Sequence, residues 1–299
     1  MGNDYRRNHY IPVFYLKNFI NPDNHFWVYD KQAPRKKNQF LYKSPKTICF
    51  EWDRNTFFFK NREPYKGLEK ETYGMFDNIH GKIFDILSKS ELGKPRWNEQ
   101  IVGELDFFIP LLYWRSPISD EDFLSLLEET DILDKVGLRA VGENRKPLEL
   151  DDAFKEEFKN DKNIQKVLRP TIAISIADKI SSIDSDMRWR IIYHFKEPLI
   201  TSDNPIIFEN NLKHFDNFYS RIMLPLSNDK TLIRINANDR TANLHNRYAQ
   251  DILTFHQAKR YVICSDRAFL EKVSNAYLEA KKHGFFDLFK KDIFGAYKF

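Results

Sequence analysis

Two cysteines, Cys49 and Cys264, stand in 299 residues. That is too few for a disulfide framework or a cysteine-built zinc site. Both sit in apolar surroundings, which suits reduced core residues. Glycine is scarce too, at 10 residues. There is no Walker loop, no glycine-rich dinucleotide turn, no nucleophile elbow and no paired-cysteine metal motif. The common nucleotide-dependent classes are disfavoured, and no nucleotide cofactor is expected. No window approaches about 18 continuous apolar residues. The opening MGNDYRRNHY lacks the apolar segment of a signal peptide. A cytoplasmic chain with no membrane contact is expected. Charge of one sign is also lacking: 47 Lys and Arg face 43 Asp and Glu, a net +4. Such a balance permits nucleic-acid contact through a local patch without requiring it.

What the chain has in quantity is aromatic side chains. Its 26 Phe, 14 Tyr and 5 Trp make up 15% of the residues. With only 4 Met beside them, the core is expected to be built from large, stiff rings, and Phe-rich surface also suits partner contacts. After Pro12, the apolar spacing of Phe14, Tyr15, Leu16 and Phe19 predicts a short helix. Strands are predicted over 26–29, 47–50 and 56–60, with a basic loop over 31–37.

From Gly67 the period changes to three and four, with Leu68, Tyr73, Phe76, Ile79, Ile83, Ile86 and Leu87 on one stripe. A second helix is predicted over 98–114, apolar enough to be buried and locally disturbed or kinked at Pro110. A third, over 119–136, opens on Ser119 as a cap with Asp120, Glu121 and Asp122 in its first turn. Residues 142–152, polar and carrying Pro147, are the candidate boundary or long loop. Further helices are predicted near 151–160, 164–183, 240–254 and 267–282, and strands over 189–195, 206–208, 219–224, 231–235 and 260–264. This order predicts an α+β fold: a small β-containing entry region, a central helical bundle, and a C-terminal antiparallel or mixed sheet with helices. One large domain is expected, with 1–145 and 146–299 as candidate sub-domains.

The segment 187–208 organises this reading. Two apolar runs, 189–195 and 199–201, flank a Lys-Glu-Pro turn, and Thr201-Ser202-Asp203-Asn204-Pro205 follows directly. A polar cluster at a strand end either presents working side chains or is an Asx-type turn that Pro205 terminates. His9 is a capping or core-edge histidine or a proton-transfer group. Glu69 is a solvated glutamate or a carboxylate for a metal or a base. Arg115, at the end of a buried helix, either caps carbonyls or points into a polar pocket. Together with Tyr10 and Asn246, these residues supply the ingredients of a phosphodiester or phosphoryl site.

The same residues carry a family resemblance. HYIPVFYLKNF at 9–19, Glu69 on its helix, WRSP at 114–117, ITSDNPI at 200–206, LPLS at 224–227, HN at 245–246 and RYVICSD at 260–266 occur in that order. The pattern resembles the bacterial family called domain of unknown function 4238, across roughly residues 9–270. It differs where that family has a polar residue ahead of its R-[ST]-P motif, here Leu111 and Leu112, and in having Asp77 for a glutamate. The resemblance implies a soluble bacterial or mobile-element-associated protein, with no settled activity.

The first expectation is a nuclease or other phosphodiester-acting enzyme in bacterial defence or toxin function. Its catalytic residues would be His9, Glu69, Arg115, Asp203 and Asn204, with Asp203 and Glu69 binding a divalent metal such as Mg or Mn. The alternative is a non-catalytic module within a defence complex, its aromatic surface binding a protein partner or nucleic acid and its polar residues forming closed networks. A catalytic Asp203 predicts that Asp203→Ala abolishes activity while changing thermal stability by no more than about 1 kcal/mol; a structural turn residue predicts a larger loss.

Overall fold

Residues 6–34, 39–95, 97–129, 156–157, 159–182, 187–210, 215–239 and 247–295 are described by the computed structural model. The chain enters through short strands. β1 (Arg7–His9) pairs antiparallel with β4 (Phe50–Trp52), and β2 (Phe26–Asp30) with β3 (Phe40–Lys43). Between them Pro12, which needs no helical donor, leads into α1 (Val13–Leu16) and a 3-10 turn (Lys17–Phe19). These bury Tyr15, Leu16 and Phe19.

Two expected strands are corrected. Pro45–Thr47 is a 3-10 turn, and the strand starts only at Phe50. Residues 56–60 carry a single isolated bridge, Phe57 to Tyr65. Of the three consecutive phenylalanines there only Phe57 is buried, while Phe58 and Phe59 are exposed. Asp53 and Asn61 take left-handed backbone conformations at either side (φ 58° and 60°), so chain reversals replace an extended run.

The helices follow the apolar period. A π-helical turn (Leu68–Tyr73) leads into α2 (Gly74–Ser88). α3 (Glu99–Arg115) is capped by Asn98, whose Oδ1 accepts from the Ile101 amide at 2.8 Å. It runs on through Pro110, one of the buried residues on its densely apolar C-terminal half. α4 (Asp120–Glu129) begins one residue later than expected, because Ser119 ends a 3-10 turn and its hydroxyl donates back to the Ser116 carbonyl. α5 (Lys162–Ser182) packs along α3. The candidate boundary at 142–152 and the tip of the basic loop at 35–37 lie outside the described residues.

The two runs around the Lys-Glu-Pro turn enter different sheets. β5 (Met187–Tyr193) pairs with β9 (Lys230–Asn236), in the order β5-β9-β8-β7 with β7 (Ile207–Phe208) and β8 (Ile222–Ser227). β6 (Thr201–Ser202) pairs instead with β10 (Tyr261–Cys264), in the order β3-β2-β10-β6. The switch is fixed where the Leu199 amide donates to the Asn228 carbonyl at 2.7 Å and the Ile200 amide to Asp251 Oδ1 at 3.2 Å. All these pairings are antiparallel, and the fold is α+β. Because β2 and β10 are neighbours, the two ends of the chain share one sheet. α6 (Arg247–Gln257), α7 (Arg267–His283) and α8 (Phe286–Gly295) complete the C-terminal part. α7 is capped by Asp266 and ends at Gly284, whose φ of 67° suits the left-handed position that glycine tolerates.

The core is aromatic, as expected. Phe14, Tyr15, Phe84 and Phe108 meet at tilted and edge-on angles, with centroids 4.6 to 6.5 Å apart. The Tyr15 hydroxyl is satisfied inside this cluster, 2.8 Å from Thr201 Oγ1 and donating to the Pro225 carbonyl at 2.8 Å. Where α3 meets the second sheet, Asp106 Oδ1 accepts from Trp189 Nε1 at 2.9 Å and from Arg234 Nη1 at 3.3 Å. Arg234 also donates to the carbonyls of Phe218 and Ser220. Burial pushes the Asp106 carboxyl up and the Arg234 guanidinium down, so each charge depends on the other. Asp106→Ala, which strands a buried guanidinium and an indole N–H, is expected to cost about 3 kcal/mol or more in urea unfolding. A loss under about 1 kcal/mol would show that this pair does not hold α3 to the sheet.

Candidate functional site

Arg115 closes α3 with a side chain only 2% exposed. Its Nη1 and Nη2 donate to the two oxygens of Asp77 at 2.6 and 3.2 Å, a two-pronged pairing that suits the planar guanidinium. Glu69 Oε1 lies 3.8 Å from Nη2, and the Tyr73 ring sits 4.5 Å from the guanidinium carbon. Glu69, Tyr73 and Asp77 follow one another at intervals of four along the π-helical turn and α2, so all three reach one cation. Glu69 Oε2 accepts from Asn55 Nδ2 at 2.8 Å, and the Asn55 amide donates to Asn8 Oδ1 at 2.8 Å. The network thus runs from β1 to the end of α3.

Charge follows from this packing. Burial opposes the Arg115 charge, but Asp77 and Glu69 outweigh it and hold the pKa above the usual arginine value. Burial raises the Glu69 carboxyl, with Arg115 and Asn55 opposing. Of the two roles open to Arg115, its side chain takes the polar one. The last carbonyls of α3 are capped by other arginines: Arg54 Nε donates to the Arg115 carbonyl at 3.1 Å and Arg169 Nη1 to that of Trp114 at 3.2 Å. Both arginines also pair with Asp120. Neither was visible in the sequence as a partner of this helix end.

Asp203 and Asn204 belong to a second network. Asp203 is buried, and its carboxylate accepts from three successive backbone amides: Lys259 at 2.9 Å, Arg260 at 2.8 Å and Tyr261 at 3.0 Å. Burial pushes its pKa up and the three amides pull against that. Asn204 donates from Nδ2 to the Gln257 carbonyl at 3.1 Å, and Gln257 Nε2 returns bonds to the carbonyls of Asn204 and Ile206. The turn therefore clamps the end of α6 and the start of β10. The Ser116 hydroxyl donates to the Asp203 carbonyl at 3.4 Å and joins the two networks.

The expected metal ligands fall in different networks. Asp203 is engaged by three amides and Glu69 by Asn55 and Arg115, an arrangement that does not fit a divalent ion bridging the two. Among the described residues no group of three or more His, Cys, Asp or Glu could hold a metal ion. Asn246 lies outside the described residues.

His9 and Tyr10 stand between the networks. Tyr10 is buried, and burial raises its phenol. His9 Nε2 lies 3.3 Å from the Lys46 carbonyl, and burial with the nearby Arg115 charge lowers its pKa to about 4. The register pairs Arg7 with Trp52 and His9 with Phe50, so these four side chains share one face of the β1–β4 ribbon. The Arg7 guanidinium lies 5.2 Å from the Trp52 ring and 5.4 Å from Phe50, and Arg6 5.9 Å from Trp52. Trp52 is 53% exposed. The neighbouring loop shows Phe58, Phe59 and Tyr65 to solvent, with the Lys166 ammonium 5.3 Å from the Phe58 ring. This aromatic and basic face was missed from sequence. Its signal was Arg6-Arg7, Trp52 and the run Phe57-Phe58-Phe59-Lys60 in one short region.

Two measurements follow. Asp203→Ala removes the shared acceptor of three backbone amides, and a loss of about 3 kcal/mol in thermal unfolding is expected. A loss within about 1 kcal/mol would return Asp203 to the candidates for chemistry. His9 and the buried His80 both have folded pKa values lowered to about 4 from 6.5, by burial first and then by Arg115. Their neutral forms favour folding, so that stability is fully present above 6.5 and is lost as pH falls toward 4. The urea midpoint should drop through that window, and more shallowly in His9→Gln/His80→Gln. Equal slopes would refute the assignment.

No curated protein and no solved structure matches the chain. A family model described as "Protein of unknown function (DUF4238)" matches residues 7–268. The chain belongs to that family.

Proposed function

We propose that this protein binds single-stranded nucleic acid on the exposed face of the β1–β4 ribbon. The observation that carries this reading is Trp52, more than half exposed, with the Arg7 guanidinium 5.2 Å from its ring, Phe50 beside it, and Arg6, itself paired with Asp53, 5.9 Å away. An exposed indole offers a surface on which any base can stack; Arg7 beside it supplies a phosphate contact, and Arg6 can add one by exchanging Asp53 for phosphate. Phe58, Phe59 and Tyr65, soon after β4 in the chain, are exposed as well, with Lys166 beside Phe58. The closed networks around Arg115 and Asp203 also favour a binding module over open-cleft chemistry, since their polar groups are engaged by the protein itself.

A second reading, cleavage of the bound strand, is favoured by one observation. His9 on this face has a lowered pKa and Glu69 a raised one, both within the influence of Arg115. A neutral imidazole can accept the proton of an attacking oxygen at neutral pH, and carboxyl and imidazole groups displaced in opposite directions suit acid–base work.

Fluorescence anisotropy with labelled oligo-dT and oligo-U, beside a duplex of equal length, tests the first reading. Single strands should be preferred, and Trp52→Ala should weaken them about tenfold or more. Arg6→Ala/Arg7→Ala should weaken binding and flatten its salt dependence. Unchanged binding by the Trp52 variant, or a preference for duplex, would sink it. For the second reading, His9→Ala should keep binding and lose cleavage; a wild-type protein that binds without cutting leaves the module alone standing.

A further inference from the structure

β5 is an outer strand of its sheet: among the described residues it pairs only with β9. Alternate amide and carbonyl groups of an outer strand point away from the sheet, ready to pair with another extended chain. A groove of about 510 Å³ lies there, lined by six of the seven residues of β5 and faced by Pro95 and Trp97 from the α2–α3 connection. Consecutive strand side chains point to opposite faces. A groove that touches nearly every residue of the strand must therefore run along its open edge.

The lining is aromatic and cationic. Arg188 and Arg190 contribute to it, and it includes no acidic side chain. Neither arginine has a hydrogen-bond or ion-pair partner among the described residues, and Arg190 Nε is buried without one. Charges that merely protect a sheet edge from aggregation project into water. Arg190 instead is partly buried at the groove wall, with its Nε covered and unmatched, which is costly.

We propose that this groove takes an extended acidic segment of a partner protein, added to β5 as a further antiparallel or parallel strand. Its backbone would satisfy the free edge, its carboxylates would meet Arg188 and Arg190, and an apolar or aromatic residue would rest on Trp97. β5 spans about 23 Å at roughly 3.3 Å per residue, the reach of a segment of about seven residues. A peptide fits this edge better than a nucleic acid does, because the amide repeat of a strand matches only another polypeptide. The site is separate from the β1–β4 face and stands whether or not that face binds nucleic acid.

The test is selection of a displayed library of random decapeptides on the full chain, with counter-selection on Arg188→Glu/Arg190→Glu. Enriched peptides should be rich in Asp and Glu, and they should bind the double variant about tenfold more weakly or worse. N-methylation of alternate amides in the best peptide should cause a similar loss, since it removes strand pairing but keeps the side chains. Thermal melting and oligo-dT binding of the double variant should match the wild type, which separates this outcome from the fate of the ribbon face. The proposal is overturned if no peptide prefers the wild type over the double variant. It is equally overturned if the enriched peptides lack acidic residues or tolerate N-methylation without loss.

Discussion

The buried guanidinium of Arg115 is the constraint on which this structure turns. A cation with almost no solvent must have its charge met within the protein, and here Asp77 meets it in two-pronged fashion while Glu69 stands beside it. That requirement ties the end of α3 to α2 and to the π-helical turn ahead of it. Through Asn55 and Asn8 it also reaches β1, and so fixes the ribbon whose other face carries Trp52. Polar burial at the back of the ribbon holds an aromatic and basic surface at its front.

The Asp203 clamp plays the matching part for the C-terminal half. Three amides in a row converge on one carboxylate, and Asn204 and Gln257 lace the neighbouring turn to α6. Such a clamp sets where β10 begins, and β10 is the strand that joins β2 to β6. The Arg115 network thus acts on the β1–β4 ribbon and the Asp203 clamp on the β3-β2-β10-β6 sheet, with Ser116 as the link. Next to the first network, burial and the Arg115 charge keep the His9 imidazole neutral, while burial and then the charge of Asp203 among others raise the Tyr10 phenol.

Much of the fold was legible because α2 carries a long apolar stripe, the second half of α3 is densely apolar, and β2 opens on a run of four apolar residues. The short entry strands were less so. Residues 56–60 read as a strand from three phenylalanines in a row, yet two of those rings face solvent because left-handed residues on either side turn the chain. In the candidate site, sequence picked out Glu69, Arg115, Asp203 and Asn204 as polar residues in telling places. It could not say that the first two share one network and the last two another.

The sequence by itself determined the α+β class, the aromatic core, the scarcity of glycine and cysteine, and the family. Those properties are local or compositional: period, residue type and order along the chain carry them. Tertiary structure alone decided which carboxylate faces Arg115, which amides fill Asp203, that β5 and β6 join different sheets, and that, among the described residues, one edge of β5 has no partner strand and the Arg188 and Arg190 side chains no partner. Each of these depends on residues distant in the chain, such as Asp203 and Lys259–Tyr261. Partners of that kind are selected by packing and by the cost of leaving a buried polar group unmatched, which no local pattern records.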